Sequence, residues 1–288
     1  MQTISFVILH YGNVKVTKAC VESIQRLQTT DTIHIIVVDN DWNKSKEERS
    51  LLRQSIEGIE VVEMMDDVGF SKANNAGYQY TREHHDPDYI IVANNDITFE
   101  QKAFLEVMKQ AYKETESDVI GPDVYSTAHK VHQSPIDVCG RTEAQVDYTI
   151  RMNAFALRFF AICYPFLRKS MGVQAVKTNS TLWNESQMEV VPCGACIIVT
   201  RRFIEKEEKL FLPETKFYYE EYILHYRCSK KRYRILYCPK LQVLHADGVA
   251  TQNKTENEKR RIQFIMKNTL ESARRYRRLL QKDDWDEL

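Results

Sequence analysis

Residues 3–9, 33–38, 59–64 and 89–93 are apolar runs without polar alternation. A strand with one wet face would alternate. Unbroken runs suit strands covered on both faces, as in parallel sheets. Helical spacing fills the gaps between them. Val16, Cys20, Ile24 and Leu27 share one helix face, and Phe104, Leu105, Met108, Ala111 and Tyr112 share another. Strand–helix alternation joins parallel strands by right-handed crossovers. The spacing therefore predicts an α/β fold: an open, twisted, mostly parallel sheet flanked by helices.

Such sheets bind ligands at the carboxyl ends of their strands. The first run ends at His10, Tyr11, Gly12 and Asn13. The second ends at Asp39, Asn40 and Asp41, and the third at Asp66, Asp67, Val68 and Gly69. The fourth ends at Asn94, Asn95 and Asp96. Each offers polar groups suited to a nucleotide. No G-x-G-x-x-G follows the first strand, so a dinucleotide fingerprint is absent.

Charge and cysteine usage narrow the class. Forty basic and forty acidic residues cancel, which argues against bulk nucleic-acid binding. Met1 runs directly into strand-like sequence, so no leader is expected. No run of about 18 apolar residues occurs, so no spanning helix is expected. Seven scattered cysteines suggest reduced thiols and a cytoplasmic setting. Cys193 and Cys196 form a C-x-x-C pair with no second pair, which reads as buried strand thiols rather than zinc.

The second half is less regular. Residues 117–150 look irregular, with Gly121-Pro122 as a break. Residues 151–177 carry Arg151, Arg158, Arg168, Lys169 and Lys177, no acid, and interleaved Phe155, Phe159, Phe160, Tyr164 and Phe166. Residues 190–200 and 233–238 read as strands. A basic helix is expected over 256–281.

Three constellations carry chemistry. Gly69 in the string Asp66–Gly77 permits close backbone approach or a left-handed turn. Asn74 and Asn75 are poor helix formers, so their amides either reach a ligand or cap a neighbouring strand. Asp96 either binds a metal or caps a helix starting near Phe99. Glu220 and Glu221 repel each other, and partial burial would raise at least one pKa. A raised carboxylate suits a general base. A solvated pair opening a helix is the plain alternative.

In order, these motifs resemble those of family 2 glycosyltransferases, especially the rhamnosyltransferase-like branch acting on bacterial surface polysaccharides. The resemblance rests on Val7–Gly12 with Val37–Asn40, on Asp67–Phe70 with Asn74–Gly77, and on Asn94-Asn95-Asp96. It continues through Gly194–Cys196, Tyr218–Glu221, Tyr233–Ile235, Pro239 and His245. It implies a GT-A domain over 1–251, with 151–177 as a basic, aromatic helical insertion and 252–288 as a C-terminal basic helix.

It also implies an inverting transfer from a UDP- or dTDP-linked sugar to a saccharide in capsule, O-antigen or cell-wall assembly. Tyr11 and Asp39 match nucleobase contacts, with Asn40 among the donor-binding residues. Gly69, Phe70 and Asn74 match the base and ribose pocket, and Asn94, Asn95 and Asp96 the diphosphate station. Asp96 and His245 match ligands of a divalent metal, magnesium or manganese. Glu221 matches the base, with Glu220 beside it.

Two departures stand out. The triplet opens with Asn94 instead of an acid, and Ile223 occupies a position that is often acidic. They motivate an alternative, a non-catalytic nucleotide-sugar-binding subunit of an assembly complex. A nucleotidyltransferase would want a glycine-rich loop and a lysine after the first strand, and the chain offers only Gly12. The basic, aromatic 151–177 segment and the final helix suit a membrane surface or a homodimer. The expected setting is the inner face of the cell membrane, with a lipid-linked acceptor.

Overall fold

A computed structural model describes residues 1–41, 44–66, 68–173, 182–212, 215–247 and 258–282. Asp67, Lys177, Gly248 and the ends of the 252–288 segment lie outside the described residues.

The first half follows the apolar pattern. Strands β1 (Thr3–His10), β2 (Thr32–Asp39), β3 (Glu60–Glu63) and β4 (Tyr89–Asn94) alternate with helices α1 (Val14–Gln25), α2 (Lys46–Ser55) and α3 (Gly69–His84). β1 pairs in parallel with β2 and β4, and β2 with β3. Register aligns His10 with Asp39, and Leu9 with Asn94. The three polar strand ends therefore stand side by side along one edge.

After the short β5 (Ile97–Thr98) come α4 (Phe104–Thr115), β6 (Val119–Ser126) and β7 (Val131–His132). Helices α5 (Glu143–Arg158) and α6 (Phe160–Val173) follow, then β8 (Gln187–Met188), β9 (Cys196–Thr200) and α7 (Arg201–Ile204). Helix α8 (Glu220–Lys231), β10 (Ile235–His245) and α9 (Glu258–Leu280) complete the chain. The sheet order is β3-β2-β1-β4-β9-β6-β10-β5, with β7 on β6 and β8 on β10. β9 runs antiparallel between β4 and β6, while β6 and β10 are parallel.

Two expectations need correction. The span 117–150 is only partly irregular: β6 runs through Gly121 and Pro122, and helix α5 starts at Glu143. Proline is tolerated there because β6 pairs with β9 only at Val119 and Ile120. Beyond that point one flank of the strand needs no donor. Only Cys196–Thr200 of the 190–200 run is strand; the residues before it turn toward α8. Of the two roles open to Asp96, the helix cap is excluded, since β5 follows it and α4 begins only at Phe104.

The sheet is covered on both faces. Cys20 and Ile24 of α1, with Leu105 and Met108 of α4, pack on one side. Ala73 and Tyr78 of α3, with Leu224 and Cys228 of α8, pack on the other. Truncating a core ring such as Phe6 or Phe104 to alanine would cost ~3–5 kcal/mol, a large share of a typical ~5–15 kcal/mol total. The strand ends thus sit on a rigid platform. Helix α9 joins a third cluster through Ala273, Tyr276 and Leu279, packed with Val146, Tyr219 and Tyr222. Ser272 donates to the Phe217 carbonyl at 2.8 Å, which ties the final helix to the segment leading into α8.

Candidate active site

A cleft of about 610 Å³ opens where β1, β2 and β4 end and α8 begins. Tyr11, Asn40, Phe70, Asn94 and Asn95 line one end. Ile136, Arg141, Thr149, Tyr219, Tyr222 and Phe264 line the other, with Glu220, Glu221, Gly194 and His245 on the walls.

At the strand ends most polar groups are already engaged. The Asp39 carboxylate accepts from Arg49 Nε at 3.0 Å and from the Asp41 amide at 3.1 Å. Asn95 Nδ2 donates to Thr17 Oγ1 at 2.9 Å and to the Tyr11 carbonyl at 3.2 Å, which braces the loop after β1. Asn40 differs: it is buried in the cleft and its Oδ1 has no hydrogen-bond partner. A buried carbonyl of this kind is costly unless something donates to it.

Gly69 has φ +79°, and a Cβ there would stand 2.6 Å from the Lys216 carbonyl oxygen. The Phe70 amide donates to that same carbonyl at 2.8 Å. Glycine is therefore required by the junction of α3 with the 215–217 segment. Phe70 reaches the cleft and packs on Phe211. Asn74 is fully buried below it, with Nδ2 donating to the Phe70 carbonyl and Oδ1 unpartnered. Neither Gly69 nor Asn74 lines the cleft. Asn75 is a clamp: it exchanges two hydrogen bonds with the Phe211 backbone, at 2.8 and 2.9 Å. Of the two asparagines, Asn75 is the one that caps a neighbouring segment.

Asp96 sits in the turn between β4 and β5. Its Oδ1 lies 3.2 Å from His245 Nε2, and His245 Nδ1 lies 3.0 Å from Asp247 Oδ1. Gln133 bonds both His245 and Asp247, and Ser126 bonds Asp247. Burial alone would lower the His245 pKa. Hydrogen bonds to Asp247 and Asp96 outweigh that and raise it to about 9; a metal bound here would displace that proton. The pair also fits a divalent metal. Two ligands about 2.1 Å from one ion in adjacent octahedral positions lie ~3 Å apart, close to the observed spacing. Asp247 and Gln133 then hold the second ring nitrogen, as partners of metal-bound histidines do. The geometry suits Asp96 and His245 as ligands, with Asp247 and Gln133 as supports that the motif pattern did not single out.

Helix α8 begins abnormally. Tyr218 and Tyr219 precede it with φ of 69° and 70°, a left-handed pair that costs non-glycine residues energy and marks functional sites. The kink turns Glu220 and Glu221 into the first turn, near the helix's positive end. Glu220 is 4% exposed and its Oε1 lacks a partner. Desolvation, then the charge of Glu221, holds its carboxyl well above the ordinary range. Desolvation also raises Glu221, opposed by its own amide and that of Gly194. This is not the solvated acidic pair of an ordinary helix start. Gly194 makes room for it: a Cβ there would stand 2.4 Å from Glu221 Oε1.

Sequence reasoning also missed Arg141. Its guanidinium lies 4.8 Å from the Tyr222 ring centroid and 5.5 Å from that of Tyr219. Among the described residues no carboxylate lies within salt-bridge distance of it. The C-x-x-C thiols are free and buried, and burial pushes Cys193 up to about 12.

The glycosyl transferase family 2 model matches residues 5–164, more than half of the chain. The chain is a family 2 glycosyltransferase. Solved structures agree on its architecture. Residues 1–349 of S. aureus TarS align over 93% of this chain and 70% of theirs, with TM-score 0.51 and 14% identity. The same TarS fragment in complex with UDP aligns over 93% and 69%, with TM-score 0.52 and 12% identity. At that identity the likeness concerns the fold, which is GT-A. No curated protein matches by sequence.

Proposed function

We propose that this glycosyltransferase moves a sugar, with inversion, from a UDP- or dTDP-linked donor to a saccharide of a bacterial surface polysaccharide, as in the rhamnosyltransferase-like branch. The observation that carries this reading is one cleft joining the polar ends of β1, β2 and β4 to a raised carboxylate pair. Asn40, with its unpartnered amide oxygen, and Phe70 receive the base. That the TarS fragment of like fold forms a complex with UDP supports a uridine nucleotide as part of the donor. Asn94 and Asn95 border the diphosphate, and Asp39 acts through its bond to Arg49.

Inversion needs an acceptor hydroxyl that attacks the anomeric carbon as its proton leaves. Glu221 takes that proton. Its raised pKa makes it a better base than an ordinary carboxylate, while the Gly194 amide opposes that rise. Glu220, buried behind it, acts as a positioning residue. Asp96 and His245 would hold a divalent metal, which neutralises charge on the departing diphosphate.

The enzyme works in the cytoplasm at the inner face of the membrane. A thermal-shift panel of UDP- and dTDP-sugars with and without manganese tests donor choice, because a ligand of the native state raises Tm. Turnover is compared in wild type, Asp96→Ala and Glu221→Gln. Unchanged rates in both variants would sink the assignment. Tight donor binding with no turnover in wild type would favour a non-catalytic subunit.

A further inference from the structure

Tyr148, Met152, Phe155, Phe159, Ile162 and Phe166 are exposed, with Tyr148, Ile162 and Phe166 at 65%, 72% and 77%. Spacings of four and three place Tyr148, Met152 and Phe155 on one face of α5; Phe159 at the bend, with Ile162 and Phe166 on α6, carries the exposed apolar surface on past it. Among the described residues this surface has no partner, because the helices use their other face on α9: Ala156 and Phe160 pack with Ile262 and Met266. Exposed aromatic surface on this scale marks an interaction site.

Charge identifies the occupant. The sequence has no acid from Tyr148 to Asn184. Arg151, Arg158 and Lys169 flank this surface and are exposed. Exposed Lys259 and Arg260 open α9 alongside, where Glu258 pairs with Arg168 at 2.8 Å. Aromatic and aliphatic groups ringed by cations fit an anionic lipid surface. A second copy would bring the same cations against themselves, and like charges across an interface repel. No described helix is long and apolar enough to cross a bilayer, and α5 and α6 meet at a 119° bend. That shape suits a wedge lying in the interface.

The surface also adjoins the cleft. Thr149 on α5 lines it, one residue from exposed Tyr148. We infer that α5 and α6 dock the enzyme on an anionic phospholipid bilayer by inserting these apolar side chains, so that the Arg141–Thr149 end of the cleft, opposite the donor-binding strand ends and so the acceptor's side, faces the membrane. The orientation rests on the proposed function; docking itself does not.

The test is co-sedimentation of the full chain with vesicles of phosphatidylcholine alone or mixed with phosphatidylglycerol. Wild type is expected to partition onto the mixed vesicles and to leave them as salt rises. Arg151→Gln, Arg158→Gln and Lys169→Gln should each weaken binding about fivefold. The variant F155S/F159S/I162S/F166S should abolish it, while donor turnover and the melting curve stay as in wild type. Wild type remaining in the supernatant with mixed vesicles at low salt would overturn the inference. So would serine and glutamine variants that bind as wild type does, or a dimer that the serine variant splits in the absence of vesicle binding. Vesicle binding is read without sugar transfer, so an inactive enzyme that binds would refute the proposed reaction alone.

Discussion

Gly194→Ala should cripple the enzyme while leaving its fold intact. The Cβ would stand 2.4 Å from Glu221 Oε1 and 3.0 Å from Cδ and Cγ. Van der Waals contact needs ~3.5 Å, so the carboxylate must retreat by about 1 Å. Gly194 is not among the left-handed glycines, so alanine fits its backbone. The displaced group is a side-chain end on the cleft wall, and Tm should stay within ~2–4 °C of wild type. Misplacing a reacting group by that distance costs on the order of 100-fold in rate, equivalent to ~2.7 kcal/mol of barrier. The assay is release of nucleoside diphosphate from the donor. Gly194→Ala and Glu221→Gln are measured singly and together, since residues acting as a unit give strongly non-additive effects. Once the base is gone, its misplacement should cost nothing more. A Gly194→Ala enzyme with wild-type kcat, or a double variant whose losses multiply, would refute the reasoning.

Glu220→Gln should stabilise the protein at alkaline pH. A buried carboxyl with a raised pKa holds its proton better when folded, so its contribution to stability falls as pH rises above the ordinary carboxylate range. The gain in Tm, a few degrees at ~2–4 °C per kcal/mol, should fade on acidification in a pH-resolved melt. The rate should rise with pH through a limb above the ordinary carboxylate range, because desolvation raises Glu221 and the base must be ionised; a limb at the ordinary carboxylate pKa would remove Glu221 from the role. Asp96→Ala should erase the extra donor-induced Tm shift that manganese supplies, as measured by differential scanning fluorimetry. Arg141→Gln should raise the KM of an anionic acceptor roughly 10-fold or more, the worth of a charge-assisted bond, with donor KM unchanged in initial-rate kinetics.

The parallel half of the sheet was legible because its apolar runs do not alternate, a pattern that only two-sided burial explains. The strand-end residues were legible for the same reason: parallel register sets His10, Asp39 and Asn94 on one edge. What misled was punctuation. Gly121-Pro122 reads as a break until β6 is seen to have one neighbour at that point. Asp96 keeps a helix cap among its possible roles until β5 is seen to follow. Asn74 and Asn75 are indistinguishable as letters, yet one clamps Phe211 and the other keeps a buried oxygen unpartnered.

The sequence by itself determined the α/β class, the family and the polar edge, because these depend on local periodicity and on motif order. Only the tertiary structure decided how the groups act together. Gly194 stands 27 positions before Glu221, and no local pattern says that its missing side chain makes room for that carboxylate. Asp96 and His245 are farther apart still, and they meet only because β5 pairs with the end of β10. Burial, which sets the pKa of both glutamates, belongs to the packed molecule, since desolvation sums over neighbours drawn from every part of the chain.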